Sequence, residues 1–210
     1  MIVAIDGPAG AGKSTVARRL ASRLGFRYLD TGAMYRALTW LALERVRDLD
    51  DGEALGELAR AHPVSFEDEQ HVLIDGRDVT TEIRAPRIDR VVSSVARHPE
   101  VRKVMRERQR ELGEVGDVVI EGRDIGTVVA PRADVKVYLN ADEDERARRR
   151  IAERPGVAAD ALATDLRLRD ERDAAQLAAA ADAHRIDTTR LSVDDVVSEI
   201  EQLVRARQPA

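Results

Sequence analysis

The stretch IVAIDGPAGAGKS, residues 2–14, decides the fold of this 210-residue chain. Its apolar beginning, Ile2 to Ile5, predicts a short buried strand, and the Asp6-Gly7-Pro8 turn that follows ends it. From Ser14 onward the apolar residues keep helical spacing, and Gly25 stands where glycine commonly ends a helix. The stretch therefore predicts a strand, a glycine-rich loop and a helix in direct succession.

The loop between that strand and helix is GPAGAGKS, Gly7 to Ser14, a complete G-x-x-x-x-G-K-[ST] motif in the context that the motif requires. Small residues allow backbone N–H groups to surround a nucleotide phosphate, and the helix N-terminus adds a positive dipole end. We expect Lys13 to reach the β- and γ-phosphate oxygens and Ser14 to bind Mg²⁺. The predicted nucleotide-binding residues are Gly7, Pro8, Ala9, Gly10, Ala11, Gly12, Lys13, Ser14 and Thr15.

Further strands and helices alternate along the chain, which predicts an α/β fold: a three-layer P-loop NTPase fold with a parallel sheet. The predicted strands are Asp117–Ile120, Asp134–Leu139 and His184–Asp187. The predicted helices are Ala33–Arg45, Pro99–Leu112, Asp142–Glu153, Asp160–Ala180 and Val193–Arg205, the last with Ser192 as its cap.

One segment, Pro63 to Thr80, breaks the alternation. It predicts short antiparallel strands, because Asp75-Gly76 is a favoured two-residue turn between two apolar runs. We expect this segment to belong to an insert that stands off the main sheet. The chain is accordingly predicted to be a single domain, residues 1–210, with an acceptor-binding insert at 33–104 and a small lid at 142–165.

Composition excludes several classes of protein. The 34 basic and 39 acidic residues leave a net charge of -5, so no overall basic field favours nucleic acid or a membrane surface. The basic residues are almost all arginine, since only Lys13, Lys103 and Lys136 are lysines. The chain has no cysteine, which excludes disulfides, thiolate metal sites and a cysteine nucleophile. Without a long uncharged stretch or a secretory signal, the expected location is the cytoplasm.

Missing motifs narrow the nucleotide-binding classes. A guanine-specific GTPase would normally carry N-K-x-D, which does not occur, and large motor ATPases place an acidic pair after an apolar strand. Here one predicted strand is followed by Glu121-Gly122-Arg123-Asp124 and the other by Asn140-Ala141-Asp142. Small size, arginine-rich regions and an insert favour a kinase that acts on a small acceptor.

Four further motifs accompany the loop: YLDTGAMYR (Tyr28–Arg36), IEGRDIGTVV (Ile120–Val129), RDERD (Arg169–Asp173) and DAHRIDTT (Asp182–Thr189). Together with GPAGAGKS they resemble the cytidylate kinase family over nearly the whole chain. The resemblance implies a monomer that uses ATP and Mg²⁺ to phosphorylate CMP or dCMP, and it implies an antiparallel insert in the acceptor-binding part.

Arginines at these motif positions suit an acceptor that carries a phosphate, because forked guanidinium donors hold phosphates in line without covalent chemistry. The predicted catalytic residues are Lys13, Arg36, Arg123 and Arg169. The resemblance further implies that Thr31 and Tyr35 line the acceptor site, that Ser93, Arg102 and Asp124 contact cytosine, and that Asp173 holds the ribose with Arg169. A carboxylate at position 124 fits cytosine, because it can accept a hydrogen bond from the exocyclic amine of that base.

Some assignments stay open at this point. Gln176 stands where the family often has a further arginine, and the lid arginine that meets ATP is one of Arg146, Arg148, Arg149, Arg150 and Arg154. The alternatives to CMP are another small acceptor, such as UMP, AMP or a non-nucleotide. A regulatory ATPase that binds a macromolecule is the alternative from a different class.

Overall fold

A computed structural model describes residues 1–45, 48–67, 71–153 and 158–207. Its contacts divide the chain into two compact units, one of Met1–Leu29 with Val115–Ala210 and the other of Asp30–Glu114. Within the described ranges, no helix is both long and apolar enough to cross a membrane.

The secondary structure alternates between strands and helices, as the sequence predicts. The strands are β1 (Ile2–Asp6), β2 (Arg27–Asp30), β3 (Val64–Phe66), β4 (Val72–Ile74), β5 (Arg77–Asp78), β6 (Val118–Glu121), β7 (Val135–Asn140) and β8 (His184–Asp187). The helices are α1 (Lys13–Leu24), α2 (Thr31–Arg45), α3 (Gly52–Ala61), α4 (Pro86–Ala96), α5 (Pro99–Gly113), α6 (Glu143–Glu153), α7 (Ala159–Asp173) and α8 (Val193–Arg205).

The first unit is built on a sheet with the strand order β2-β6-β1-β7-β8. Strand β1 runs parallel to both β6 and β7, and β7 runs parallel to β8. Helices α1 and α8 cover one face, where Leu20 and Ile200 pack with the buried strand residues Ile5 and Val137. Because parallel strands end at the same edge, the residues after β1 and β6 come together there, which is where open α/β sheets bind ligands.

The second unit contains the antiparallel strands β3, β4 and β5 and the helices α2 to α5. The turn between β4 and β5 is the expected one, since Asp75 (φ 54°) and Gly76 (φ 70°) are both left-handed. Trp40 of α2 is 3% exposed, and the guanidinium of Arg77 lies over its ring at 4.6 Å. The predicted α/β fold, with a parallel sheet and additional short antiparallel strands, is confirmed.

One predicted helix boundary is wrong. The predicted helix Asp160–Ala180 ends at Asp173, and a single 3₁₀ turn, Ala174–Gln176, follows it. Contacts with β7 explain the early end: the hydroxyl of Tyr138 donates to the carbonyl of Leu177 (2.9 Å), and Lys136 holds the carboxylate of Asp182 (2.8 Å). Tertiary contacts here override the helical preference of an alanine-rich tract. Strand β2 and helices α3 and α4 are additional elements that the sequence patterns did not predict.

Candidate active site

The loop between β1 and α1 has a backbone that only glycine adopts easily. Gly7 (φ 147°), Gly10 (φ 78°) and Gly12 (φ 86°) all have positive φ. A Cβ on Gly7 would lie 2.1 Å from the carbonyl oxygen of Leu139, so the loop also passes too close to β7 for any side chain. No side chain caps the N-terminus of α1, so its first N–H groups are available to an anion.

The carbonyl groups of the loop are held by side-chain donors. A loop that binds phosphate through its N–H groups needs its carbonyls directed elsewhere, because carbonyl oxygens repel an anion. The donors come from α1, from α6 and from the segments after β6 and β8. The hydrogen bonds are Arg123 Nη1 to Gly7 O (3.1 Å), Lys13 Nζ to Pro8 O (2.7 Å), Arg146 Nη1 to Ala9 O (3.2 Å) and Thr188 Oγ1 to Ala11 O (3.2 Å).

Lys13 is 8% exposed and lies among other charged groups. Burial lowers the pKa of its ammonium group well below the ordinary value, and the nearby Arg123 lowers it further, whereas Glu121 and Asp6 act in the opposite direction. The positive charge of Lys13 is thus incompletely compensated by the protein. An anionic ligand in the loop would supply the missing compensation.

Ser14 lies beside a buried carboxylate that the sequence motifs did not single out. Its Oγ donates to Oε2 of Glu121 (3.0 Å), the last residue of β6, and the hydroxyl of Tyr28 donates to the other oxygen of the same carboxylate. Arg18 lies over the Tyr28 ring at 5.3 Å. The pattern that would have identified Glu121 is a carboxylate at the carboxyl end of the strand next to β1, because the phosphate loop begins at the same edge of the sheet.

The segment after β6 is fixed by Asp6, at the end of β1. The Asp6 carboxylate accepts hydrogen bonds from the N–H groups of Ile125 and Gly126 (both 2.8 Å). Burial raises the pKa of Asp6, although these two backbone hydrogen bonds oppose the shift. Asp6 therefore links the start of the phosphate loop to the segment that carries Arg123 and Asp124.

Two predicted acceptor residues of this unit meet directly. Nε of Arg123 donates to Oδ2 of Asp173 (3.0 Å), while Nη1 of the same side chain reaches Gly7. Asp124 is 9% exposed, and its carbonyl accepts from Val128 at the start of the next turn. Arg169 lies half-buried on α7, four residues before Asp173. The carboxylate of Asp173, at the end of α7, is thus bound by Arg123 from the segment after β6.

In the second unit, Arg36 of α2 forms an ion pair with Asp89 of α4, Nη2 to Oδ1 at 2.8 Å. Asp89 is 6% exposed and Ser93, one turn later on the same helix, is 5% exposed. Arg36 is therefore paired with a buried carboxylate that sequence reasoning missed, and Ser93 lies one helical turn after that carboxylate on α4. Thr31 is buried at the start of α2, whereas Tyr35 and, on α5, Arg102 are half-buried.

Asp30 organises the beginning of α2. Its Oδ1 accepts a hydrogen bond from the backbone N–H of Ala33 (2.8 Å), and its Oδ2 accepts one from Nη2 of Arg84 (2.9 Å). A carboxylate at this position satisfies a free N–H of the first turn and complements the helix dipole. The arrangement fixes the first turn of α2, which carries Thr31.

Comparison with known proteins identifies the family. A family model described as cytidylate kinase matches residues 3–206. The chain belongs to the cytidylate kinase family. It is 48% identical over 216 residues to a cytidylate kinase of Geobacillus sp. strain WCH70, covering 98% of this chain and 96% of that protein. It is 49% identical over 216 residues to one from Geobacillus kaustophilus, with the same coverage.

Among solved structures, a Thermus thermophilus protein shares the fold with a TM-score of 0.52. The two chains are 21% identical, and the match covers 100% of this chain and 98% of the other. This likeness extends to the fold alone, whereas the family membership rests on the sequence relatives.

The arginines that the sequence predicts for a lid differ in their surroundings in this member of the cytidylate kinase family. Arg146 is buried and bonded to the loop, Arg148 is exposed beside Glu145, and Arg149 donates to both Oγ1 (3.0 Å) and O (2.6 Å) of Thr188. Hydrogen bonds, first from Arg148 and then from Arg149, lower the pKa of Glu145 to about 2. Arg150 pairs with Glu153 on α6, and Arg154 lies outside the described residues.

Proposed function

We propose that the protein transfers the γ-phosphoryl group of ATP to CMP or dCMP, giving ADP and CDP or dCDP. The observation that carries the proposal is the phosphate loop, whose carbonyls are held by four side chains in a chain that belongs to the cytidylate kinase family. The family supplies the substrates, and the loop supplies the site for the donor phosphates.

The donor site is proposed at residues 7–15, with the ATP phosphates at the N-terminus of α1. Lys13 would contact the β- and γ-phosphate oxygens, where its incompletely compensated charge gains an anionic partner. Because the same lysine meets charge that develops between the transferring group and the leaving phosphate, it assists the reaction as well as binding.

A Mg²⁺ ion suits the residues beside the loop. The hydroxyl of Ser14 and the carboxylate of Glu121 are hard oxygen donors that lie within hydrogen-bond distance of each other. The described residues contain no group of three or more His, Cys, Asp or Glu side chains able to hold a metal by themselves. This agrees with an ion that is held mainly by substrate phosphates and by one or two protein oxygens. When bound, Mg²⁺ neutralises charge on the ATP phosphates.

The acceptor phosphate is assigned to arginines. Arg36, Arg123 and Arg169 would neutralise it and hold it in line with the γ-phosphate. The acceptor needs no general base, since a phosphate monoester has a second pKa of about 6 and is largely a dianion at neutral pH. Repulsion between two anions is the barrier that these cations lower.

The nucleoside part of the acceptor is assigned to the residues that the family resemblance implies. Asp124 would accept a hydrogen bond from the exocyclic amine of cytosine, whereas uracil would present a carbonyl to the same carboxylate. The further residues proposed to bind the acceptor are Thr31, Tyr35, Ser93, Arg102 and Asp173. The family resemblance also supports a monomer that works in the cytoplasm.

The test is an assay of ADP release with ATP and a panel of acceptors: CMP, dCMP, UMP and AMP. We expect turnover to depend on the acceptor and to be fastest with CMP or dCMP. A rate that no acceptor stimulates would overturn the kinase proposal, and a preference for UMP or AMP would overturn the cytidine assignment. Light scattering at assay concentration tests the monomer.

A further inference from the structure

Helix α7 carries two carboxylates one turn apart, Asp170 and Asp173, and each of them holds an arginine. Arg146 contacts Asp170 and donates to the carbonyl of Ala9, whereas Arg123 contacts Asp173 and donates to the carbonyl of Gly7. Residues three apart lie on the same face of a helix. One face of α7 is therefore connected to the phosphate loop through two bridges from carboxylate to arginine to carbonyl.

The two bridges differ in what their residues are needed for. Arg123 and Asp173 are both proposed to bind the acceptor, so each would contact the substrate as well as the other residue. Asp170 has no such assignment. Its Oδ2 contacts Arg146, and its Oδ1 is enclosed without a hydrogen-bond partner in the described ranges. The carboxylate of Asp170 is thus dedicated to Arg146.

Arg146 is placed tightly against the loop. Its side chain is 7% exposed, and Nε donates to the carbonyl of Ala141 (3.1 Å) while Nη1 reaches Ala9. A Cβ added to Gly10 would lie 3.0 Å from Cβ and 3.1 Å from the carbonyl oxygen of Arg146. Arg146 therefore contacts two successive loop residues, one by a hydrogen bond and one by close packing.

A buried guanidinium keeps one orientation only if its charge is compensated, because burying an unpaired cation is costly. Asp170 supplies that compensation, and the planar guanidinium converts it into a fixed direction for Nη1. Without the carboxylate, Arg146 would gain by turning towards solvent, and the carbonyl of Ala9 would lose its donor. A loop with a free central carbonyl is less well organised to receive phosphate.

We propose that Asp170 is a positioning residue for ATP, which holds Arg146 on the Ala9 carbonyl and so makes the affinity of the phosphate loop depend on α7. The inference rests on the proposed binding of ATP at this loop. A purely electrostatic effect has the opposite sign, since removing a negative charge near the loop would strengthen the binding of an anion. The two effects are therefore distinguishable by the direction of the change.

The experiment measures the Kd of Mg·ATP by calorimetry without acceptor, and the KM of ATP and of CMP in the assay of ADP release. The variants are Asp170→Asn, Arg146→Lys and the double variant. Asp165→Asn, on the exposed face of α7, makes the same chemical change away from the loop and is the matched control. Thermal unfolding of each variant reports whether it is folded.

We expect Asp170→Asn to raise the Kd and KM of ATP about tenfold, the size of a lost charge-assisted hydrogen bond, and to leave the KM of CMP within about twofold. Asp165→Asn should change neither. In the Arg146→Lys background, Asp170→Asn should add little, because the residues act as a unit. If Asp170→Asn destabilises the fold, the Arg146→Lys variant and the double variant provide the test. Each should raise the KM of ATP more than the KM of CMP.

The inference is overturned if Asp170→Asn leaves ATP binding unchanged or strengthens it, or if the KM of CMP rises as much as that of ATP. It is also overturned if the effects of the two single variants on ATP add fully. A wild-type protein that binds no ATP would instead overturn the proposed function, which separates the two failures.

Discussion

The hydroxyl of Ser14, in the first turn of α1, donates a hydrogen bond to the carboxylate of Glu121, the last residue of β6. This contact joins the phosphate-loop serine to a carboxylate on the neighbouring strand. If both residues face the Mg²⁺ of Mg·ATP, Glu121→Gln should raise the Mg²⁺ concentration for half-maximal activity at least about fivefold, since a neutral amide attracts a dication less strongly. Activity titrated with Mg²⁺ at fixed ATP measures it. Glu114→Gln, on an exposed residue, is the control, and equal Mg²⁺ requirements would contradict the role of Glu121.

The low pKa of Lys13 predicts a pH dependence of ATP binding. In the free protein, Lys13 loses its proton at a lower pH than an ordinary lysine, whereas bound phosphate favours the protonated form. ATP affinity should therefore fall as pH rises through the lowered pKa, and binding in that range should take up a proton. Calorimetry in buffers of different ionisation enthalpy measures the uptake, and binding without it up to about pH 10, near the ordinary lysine pKa, would contradict the prediction.

The same lysine predicts an opposition between stability and function. For a lysine whose folded pKa is lowered, the unfolded chain binds more protons, so the buried charge destabilises the folded protein at neutral pH. Lys13→Met should raise the Tm of the ATP-free protein by a few degrees, about 2–4 °C per kcal/mol for a chain of this size, while abolishing ATP binding. Thermal unfolding with and without ATP provides both readouts. A lower Tm in the variant would show that the charge of Lys13 does not destabilise the folded protein.

The ion pair of Arg36 with Asp89 predicts a selective effect on the acceptor. Arg36→Lys replaces a fork with a single ammonium, which cannot hold Asp89 and a phosphate together, so we expect the KM of CMP to rise about tenfold. The Kd of ATP should stay within about twofold. Arg45→Lys at the other end of α2 is the matched control. An equal rise for both substrates would indicate a general disturbance of the fold instead.

Asp124 predicts the preference for the base. Asp124→Ala should reduce the ratio of the kcat/KM values for CMP and UMP about tenfold or more, since a well-placed contact to a base edge contributes about 1–3 kcal/mol of discrimination against the wrong base. The assay with both acceptors measures the ratio. Collapse of ATP binding with an unchanged base preference would show that Asp124 supports the loop and does not contact the base.

Two glycines with positive φ predict different costs for alanine. A Cβ on Gly7 would lie 2.1 Å from the Leu139 carbonyl, whereas one on Gly76 meets nothing within 4 Å. Gly7→Ala should lower the free energy of unfolding by at least about 3 kcal/mol, and Gly76→Ala by about 1–2 kcal/mol for its backbone alone. Denaturant titrations of both variants measure the difference. Similar losses would mean that the approach to β7 costs nothing.

Much of the fold is predictable because local and tertiary preferences agree. Ser192 begins α8 through a reciprocal capping box with Asp195, and the helix runs over Val193–Arg205 as its apolar spacing predicts. Where the two preferences differ, the sequence misleads. The tract after Asp173 leaves the helix because two residues of β7, distant in sequence, bind it: Tyr138 donates to the carbonyl of Leu177 and Lys136 to the carboxylate of Asp182.

The residues of the candidate site likewise include some that the sequence predicts and some that it does not. The loop residues are predictable because the motif itself specifies which backbone conformation they need. The residues that support the loop are not, since Arg146 and Thr188 are ordinary polar residues until the fold directs them to the carbonyls of Ala9 and Ala11. Spacing along the chain carries no information on such contacts, which join segments more than a hundred residues apart.

The stacking of Arg77 on Trp40 has an optical consequence. Trp40 is the only tryptophan in the chain, and it lies one helical turn after Arg36 on α2. A cation over an indole ring alters its emission when it moves, so the intrinsic fluorescence of this protein comes from a single place in the unit of Asp30–Glu114. The unit of Asp30–Glu114 thus carries a built-in spectroscopic label, while the other unit, with Tyr28 and Tyr138, is nearly silent at the wavelength of tryptophan emission.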